Sequence, residues 1–315
     1  MQKIIFDTDP GIDDAMALAL AELSPALDVI GITTVRGNAE IDVTTRNALY
    51  LAERFDMAAG VYRGAGAALV VPNAPVPDFV HGADGLGNIN PPPPTREVSS
   101  LSAAQFIVDQ LHRYPGEVTL VAIGRLTNLA QALALDPDIA ALAKSVVVMG
   151  GALGRHGHGG NVSPCAEANI HGDPHAADQV FGADWPVVMV GLDVTMQVLM
   201  DDARMQRIRD QGEEEGQLLY QVSRFYAEFY RANGHATGFP VHDSSALAYV
   251  IDPTLFKTTK GPIRVVCDGI AIGQTIQAAA VDRSFPDWDG RPIQQVCVDV
   301  DAQGVLSLYE RTLCQ

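Results

Sequence analysis

Four carboxylates crowd into eight residues in the stretch Asp7-Thr8-Asp9-Pro10-Gly11-Ile12-Asp13-Asp14. Left unneutralised, they would repel one another and resist ionisation. Pro10-Gly11 predicts a tight turn that carries Asp9 back towards Asp13 and Asp14. A hard divalent cation resolves the repulsion, because calcium takes about six to eight oxygen ligands in a flexible arrangement. A plainer reading makes Asp13 or Asp14 a helix cap, where negative charge is favoured. One cap accounts for one carboxylate and leaves the other three unexplained.

The elements that must position this cluster follow from the apolar pattern. Short β-branched runs at 4–6, 29–35, 118–123, 145–149 and 187–190 alternate with helical patterns at 14–23, 43–55, 129–135 and 174–181. Such alternation predicts βαβ units, with helices on both faces of a mainly parallel, Rossmann-like sheet in one α/β domain spanning 1–315. Runs near 263–266, 295–300 and 306–309 read as extra C-terminal strands, antiparallel at a sheet edge. Two stretches, 64–97 and 150–169, are too rich in Gly and Pro for regular elements, and long loops of this kind are usually functional or disordered. The acidic cluster directly follows the first run, and in open α/β sheets ligands sit at the carboxyl ends of strands.

Composition narrows the chemistry. A formal net charge of −17 over 315 residues repels a polyphosphate backbone, so a nucleic-acid partner is not expected. A small neutral substrate and a divalent cation are both compatible with that field. No apolar run is long enough to span a bilayer. The first residues show no basic region followed by a long apolar stretch, so no secretory leader is expected. Cys165, Cys267, Cys297 and Cys314 have neither metal-ligand nor redox spacing, and free thiols fit a reducing, cytoplasmic setting.

Asp-x-Asp-Pro-Gly-x-Asp-Asp after an N-terminal strand resembles the hallmark of the inosine-uridine-preferring nucleoside hydrolases. Further blocks resemble that family in order: Val35-Arg36-Gly37-Asn38, Val80-His81-Gly82-Ala83-Asp84-Gly85-Leu86-Gly87, Leu126-Thr127-Asn128, Met149-Gly150-Gly151, Asn161 with Glu167-Ala168-Asn169-Ile170, and Val241-His242-Asp243. The resemblance implies hydrolysis of the N-glycosidic bond of ribonucleosides, with Ca2+ bound by Asp9, Asp14, Asp243 and the main-chain carbonyl of Ile123, where many members have Thr. It implies that Asp13 and Asn169 hold the ribose 2′- and 3′-hydroxyls, and that Asn161 and Glu167 hold the 5′-hydroxyl. Asp9 would act as general base, Asn38 would orient the attacking water, and His81 and His242 would face the base, with His242 as its proton donor. Ala168 stands where several members carry a bulky aromatic, which bears on base preference. Homodimers or homotetramers are expected on the same grounds.

The aromatic run Phe225-Tyr226-Ala227-Glu228-Phe229-Tyr230 reads in two ways. Tyr226 and Tyr230 could close over the base as part of a lid at 225–240 and exclude water, or the run could pack a helix onto the core. Asn128 reads as a turn or cap residue, and His156, His158, His171 and His175 as surface loop residues. Two other functions remain open from the residues. Asp7-Thr8-Asp9 superficially resembles the nucleophile loop of a DxD phosphohydrolase, although no convergent Lys or Arg for phosphate is evident. A non-catalytic, calcium-bound ribonucleoside sensor would use the same residues.

Overall fold

Residues 1–278 and 284–314 are described by a computed structural model. Twelve strands follow the chain: β1 (Gln2–Thr8), β2 (Leu27–Thr34), β3 (Val61–Arg63), β4 (Thr119–Ala122), β5 (Ser145–Met149), β6 (Val187–Val190), β7 (Leu199–Met200), β8 (Phe239–Pro240), β9 (Phe256–Gly261), β10 (Ile263–Val265), β11 (Thr275–Gln277) and β12 (Gln294–Val300). The helices are α1 (Ile12–Leu23), α2 (Ile41–Arg54), α3 (Asp78–His81), α4 (Ala103–Arg113), α5 (Thr127–Leu135), α6 (Ala168–Gly172), α7 (Pro174–Gly182), α8 (Leu192–Thr195), α9 (Asp202–Gln211), α10 (Glu213–Ala232), α11 (His242–Ile251) and α12 (Ala302–Leu313).

Eight strands form one sheet in the order β3-β2-β1-β4-β5-β6-β12-β9, parallel throughout except for β9, which runs antiparallel to β12. β4 and β6 are buried along their whole length, which explains their unbroken apolar sequences. α1 is apolar all round because the sheet lies on one side and α10, α11 and α12 pack on the other. The strand order reverses at β1, between β2 and β4. In open α/β sheets a ligand site lies beyond the carboxyl ends of the strands at such a reversal.

The C-terminal expectation needs correction. Residues 306–309 lie within α12, where Asp301 accepts a hydrogen bond from Gly304 N at 2.9 Å and Val305, Leu308, Tyr309 and Thr312 share a buried face at helical spacing. Their apolar run is a helix stripe that a short window reads as a strand. The 263–266 run pairs with β11 in a separate two-stranded ribbon, whereas 295–300 does join the main sheet, parallel to β6. α4, missed in the sequence, begins at a capping box: the Ser102 hydroxyl accepts from Gln105 N, and the Gln105 amide oxygen accepts from Ser102 N. No helix among the described residues is long and apolar enough to cross a membrane.

Asn128 is neither cap nor turn residue. Fully buried, its amide donates to Asp7 Oδ1 (2.7 Å) and to the Thr34 carbonyl (3.0 Å) and accepts from Ala65 N (2.9 Å). One side chain thus ties together β1, the end of β2 and the loop after β3. Asn128→Leu strands these buried polar groups and should lower stability by about 2–4 kcal/mol. A denaturant midpoint within error of wild type would show that the tie is dispensable.

Candidate active site

The site is built on the turn after β1. Asp14, in the first turn of α1, accepts from Thr8 Oγ1 (2.5 Å) and Asp9 N (3.3 Å) on one oxygen, and from Gly11 N and Asn38 Nδ2 (2.9 Å each) on the other. The turn forms as expected from Pro10-Gly11, and Gly11 is needed there for space. A Cβ at that position would lie 2.5 Å from His81 Nδ1 and 2.8 Å from Asn38 Nδ2. Asp243 arrives from the other end of the chain, at the start of α11. Ligand oxygens of Asp13, Asp14 and Asp243 all lie within 4.8 Å of one another, and all three carboxylates are buried.

Asp9 adjoins this trio without belonging to it. Its Oδ2 accepts from Asn38 N at 2.7 Å, while its Oδ1 is buried with no hydrogen-bond partner. Asp13 Oδ1 is likewise bare. Burial, reinforced by mutual repulsion, raises Asp9 and Asp243 well above the ordinary carboxylate range and Asp13 to about 8; burial also raises Asp14. Bare buried oxygens, a wholly oxygen donor set and converging negative charge are what a hard divalent cation requires. The residues present therefore fit a metal.

Asn169 donates to the carbonyls of Ile123 (2.7 Å) and Met149 (3.2 Å), which sets it beside the ends of β4 and β5. Glu167 caps α6, accepting from Asn169 N, Ile170 N and Gly151 N, and it lies close enough to Asp243 to act on it electrostatically. Asn161 is exposed on the 150–169 loop, and its Oδ1 accepts from Ala168 N at 3.0 Å.

Two histidines adjoin the site, His81 against the acidic turn and His242 beside Tyr230 of α10. His81 Nδ1 accepts from Ile12 N at 3.2 Å, so the neutral ring carries its proton on Nε2. His242 is bonded through Nδ1 to the Thr195 hydroxyl (2.7 Å) and through Nε2 to the Tyr230 hydroxyl (3.0 Å). Burial pushes both imidazoles down to about 3, so both are neutral at physiological pH. Tyr226 is 2 % exposed and reaches Asp13 Oδ2 at 3.3 Å, with Tyr230 packed edge-on at a ring-centroid distance of 4.8 Å. In this conformation Tyr226 belongs to the core packing of α10 while its hydroxyl touches the site. His158, read as a surface loop residue, and His235, within the 225–240 segment read as a lid, both act electrostatically on His242.

Thr195 carried no signal: a lone threonine 47 residues before His242 becomes its partner only through the topology. Asp7, the nucleophile of the phosphohydrolase reading, is 1 % exposed. Its Oδ1 accepts from Thr33 and Asn128, which commits it to the layer beneath the site.

Residues 4–307 match the family described as inosine-uridine preferring nucleoside hydrolase. The chain is 39% identical over 316 residues to uridine nucleosidase 1 of Arabidopsis thaliana, covering 99% of this chain and 93% of that one. Among solved structures it is similar to the plant nucleoside hydrolase PpNRh1, with a TM-score of 0.94, 38% identity and 99% coverage of both chains. It is also similar to a purine-preferring ribonucleoside hydrolase from Gardnerella vaginalis, with a TM-score of 0.91 and 34% identity over 99% of this chain and 98% of that one.

The raised carboxylates make the metal-free protein sensitive to alkali. Folded, Asp7 (raised to about 7 by burial) and Asp13 (to about 8) hold protons that the unfolded chain releases near pH 4. Stability is therefore complete below about pH 4 for these groups and is lost as pH rises towards 8, at up to about 1.4 kcal/mol per pH unit for each group. Chelator-treated protein should melt lower at pH 8 than at pH 5.5, and a divalent cation should narrow the gap. A melting temperature that rises over that interval without metal would contradict the burial of unpaired charge.

Proposed function

The chain belongs to the inosine-uridine preferring nucleoside hydrolase family, whose members are N-ribosyl hydrolases, and on that premise we propose that it uses water and a calcium ion to split ribonucleosides into free base and ribose, as nucleoside salvage requires. The observation that carries this reading is the convergence of buried, under-bonded carboxylates from both ends of the chain on one point. An all-oxygen set favours calcium over zinc, whose sites draw on His and Cys.

Asp9, Asp14, Asp243 and the Ile123 carbonyl are the residues to hold the cation, which when bound lowers the pKa of an attached water and anchors a vicinal diol. Asp9 takes the proton of the attacking water on Oδ1, the oxygen left bare when Asn38 N binds Oδ2. Asn38 orients that water beside Asp14. Asp13 and Asn169 hold the 2′- and 3′-hydroxyls, so that a ribose is preferred to a deoxyribose. Asn161 and Glu167 take the 5′-hydroxyl. Carboxylates ranged round the sugar stabilise the positive charge that develops as the glycosidic bond breaks.

The departing base needs a proton. His242 is neutral in the resting site and both its ring nitrogens are engaged, Nδ1 by the Thr195 hydroxyl and Nε2 by that of Tyr230, so the proton reaches the base along this chain. The Tyr230 hydroxyl gives its proton to the base as it takes one from His242 Nε2, and solvent restores the proton to the chain after the base has left. Neutral His81 offers its Nε2–H towards the same region. Tyr226 and Tyr230 line the base side and exclude water from it. Uridine is a substrate on this reading, in keeping with the resemblance to a uridine nucleosidase, and the purine-preferring relative makes inosine the second nucleoside to test.

Purified protein should release free base from uridine or inosine in the presence of calcium and cease when a chelator is added. Asp9→Ala should reduce kcat by about a thousandfold or more while the fold is kept, whereas Asp243→Ala should chiefly weaken cation binding. His242→Ala should slow natural nucleosides far more than p-nitrophenyl riboside, whose leaving group needs no proton. Equal slowing of both would remove His242 from the acid role. Tight nucleoside binding without release of base would replace the enzyme reading with that of a sensor.

A further inference from the structure

The turn that presents Asn38 is closed by a bridge from outside the acidic cluster. Arg36 and Glu40 flank Gly37-Asn38-Ala39, and the Arg36 guanidinium donates to both oxygens of Glu40, from Nε at 2.8 Å and from Nη2 at 2.7 Å. Paired bonds of this kind fix the orientation of the two side chains as well as their separation. Nη2 also donates to the Ala74 carbonyl at 2.9 Å, so the segment before α3 shares the anchor.

The bridge serves the turn rather than the helix that follows it. Glu40 occupies the N-cap position of α2, yet its side chain makes no capping bond, and both its oxygens go to Arg36. Arg36 is 4 % exposed and its Nη1 is buried without a hydrogen-bond partner, whereas the Glu40 side chain is 58 % exposed. Burying an incompletely bonded guanidinium against a half-solvated carboxylate is a poor source of stability. The turn itself has no slack. A Cβ on Gly37 would lie 1.8 Å from Asp9 Oδ2, the oxygen that accepts from Asn38 N at 2.7 Å. Asn38 Nδ2 reaches Asp14 Oδ2 at 2.9 Å, so a shift of about 1 Å breaks both contacts.

We propose that Arg36 is a positioning residue for the hydrolysis: its fork on Glu40 holds the Gly37-Asn38 turn against Asp9 and Asp14, so that Asn38 stands ready for the attacking water. This rests on the reading of Asn38 as the residue that orients that water. Arg36 acts through the backbone of the turn and through Asn38. Loss of the fork lets the turn relax, which lowers kcat and leaves KM nearly unchanged. Water must attack whatever the leaving group, so the fall is the same for a nucleoside and for p-nitrophenyl riboside. That equality separates Arg36 from the residues on the base side.

The test is steady-state kinetics of the calcium-loaded full chain with uridine, inosine and p-nitrophenyl riboside. Arg36→Met should lower kcat by about tenfold on every substrate the wild type cleaves, with KM within about threefold. Arg36→Lys should recover only part of the loss, because an ammonium cannot make the planar fork. In an Asn38→Ala background Arg36→Met should change kcat by less than about twofold, since the residue through which it acts is gone. Glu40→Gln, altered at the exposed end of the bridge, should give a smaller fall that also disappears without Asn38. Wild-type kcat in folded Arg36→Met or Arg36→Lys overturns the proposal, as does a loss that persists undiminished in the Asn38→Ala background or is confined to KM. If Arg36→Met does not fold, Glu40→Gln decides: an Asn38-dependent fall supports the proposal, and an unchanged kcat or a fall that persists without Asn38 overturns it. Wild-type kcat in Asn38→Ala alone would instead defeat the reading of Asn38 on which the proposal stands, and no cleavage of any of the three substrates by the wild type would defeat the enzyme reading itself.

Discussion

Mutual repulsion between buried carboxylates is the constraint around which this molecule is arranged. Asp9, Asp13, Asp14 and Asp243 are withdrawn from water at one end of the sheet, and hydrogen bonds alone do not satisfy them, because oxygens of Asp9 and Asp13 stay bare. Asp14 takes four donors and is close to satisfied. The imbalance separates them: one carboxylate is locked by the turn, while Asp9 and Asp13 each keep one oxygen bare. Such an arrangement is unfavourable for stability and favourable for chemistry.

The scaffold supports that imbalance from below. The strand order reverses at β1, and successive strand ends bring Asp9, Asn38, Ile123 and the Met149 carbonyl together. Beneath the acidic turn, Asp7, Thr33 and Asn128 form a second polar layer. α10 closes the base side, where Tyr226 and Tyr230 connect Asp13 to His242 through hydroxyl groups. On the proposed reading, base preference would vary with α10 while the cation site stays constant.

Much of this is legible in the chain. The acidic turn announces itself because four like charges at a Pro-Gly turn have no ordinary structural use, and continuous β-branched runs mark strands covered on both faces. The legible part is local. Thr195 escapes because its place beside His242 depends on a neighbour distant in sequence, supplied only by the packing of α8 against α11. Asn128 misleads because asparagine at a helix start usually serves the helix, whereas here it reaches across three segments. The 306–309 run misleads because a helix stripe seen through a four-residue window looks like a strand; the capping Asp301 was the available signal.

Proton release on metal binding tests the central claim most directly. Carboxylates held above their ordinary range by burial must give up protons when a cation binds. Calorimetry of the metal-free protein with calcium at pH 7, repeated in buffers of different ionisation enthalpy, should show one ion bound per chain with release of more than one proton. Binding without proton release, or no binding at all, would mean that the carboxylates are neither strained by burial nor gathered for a cation.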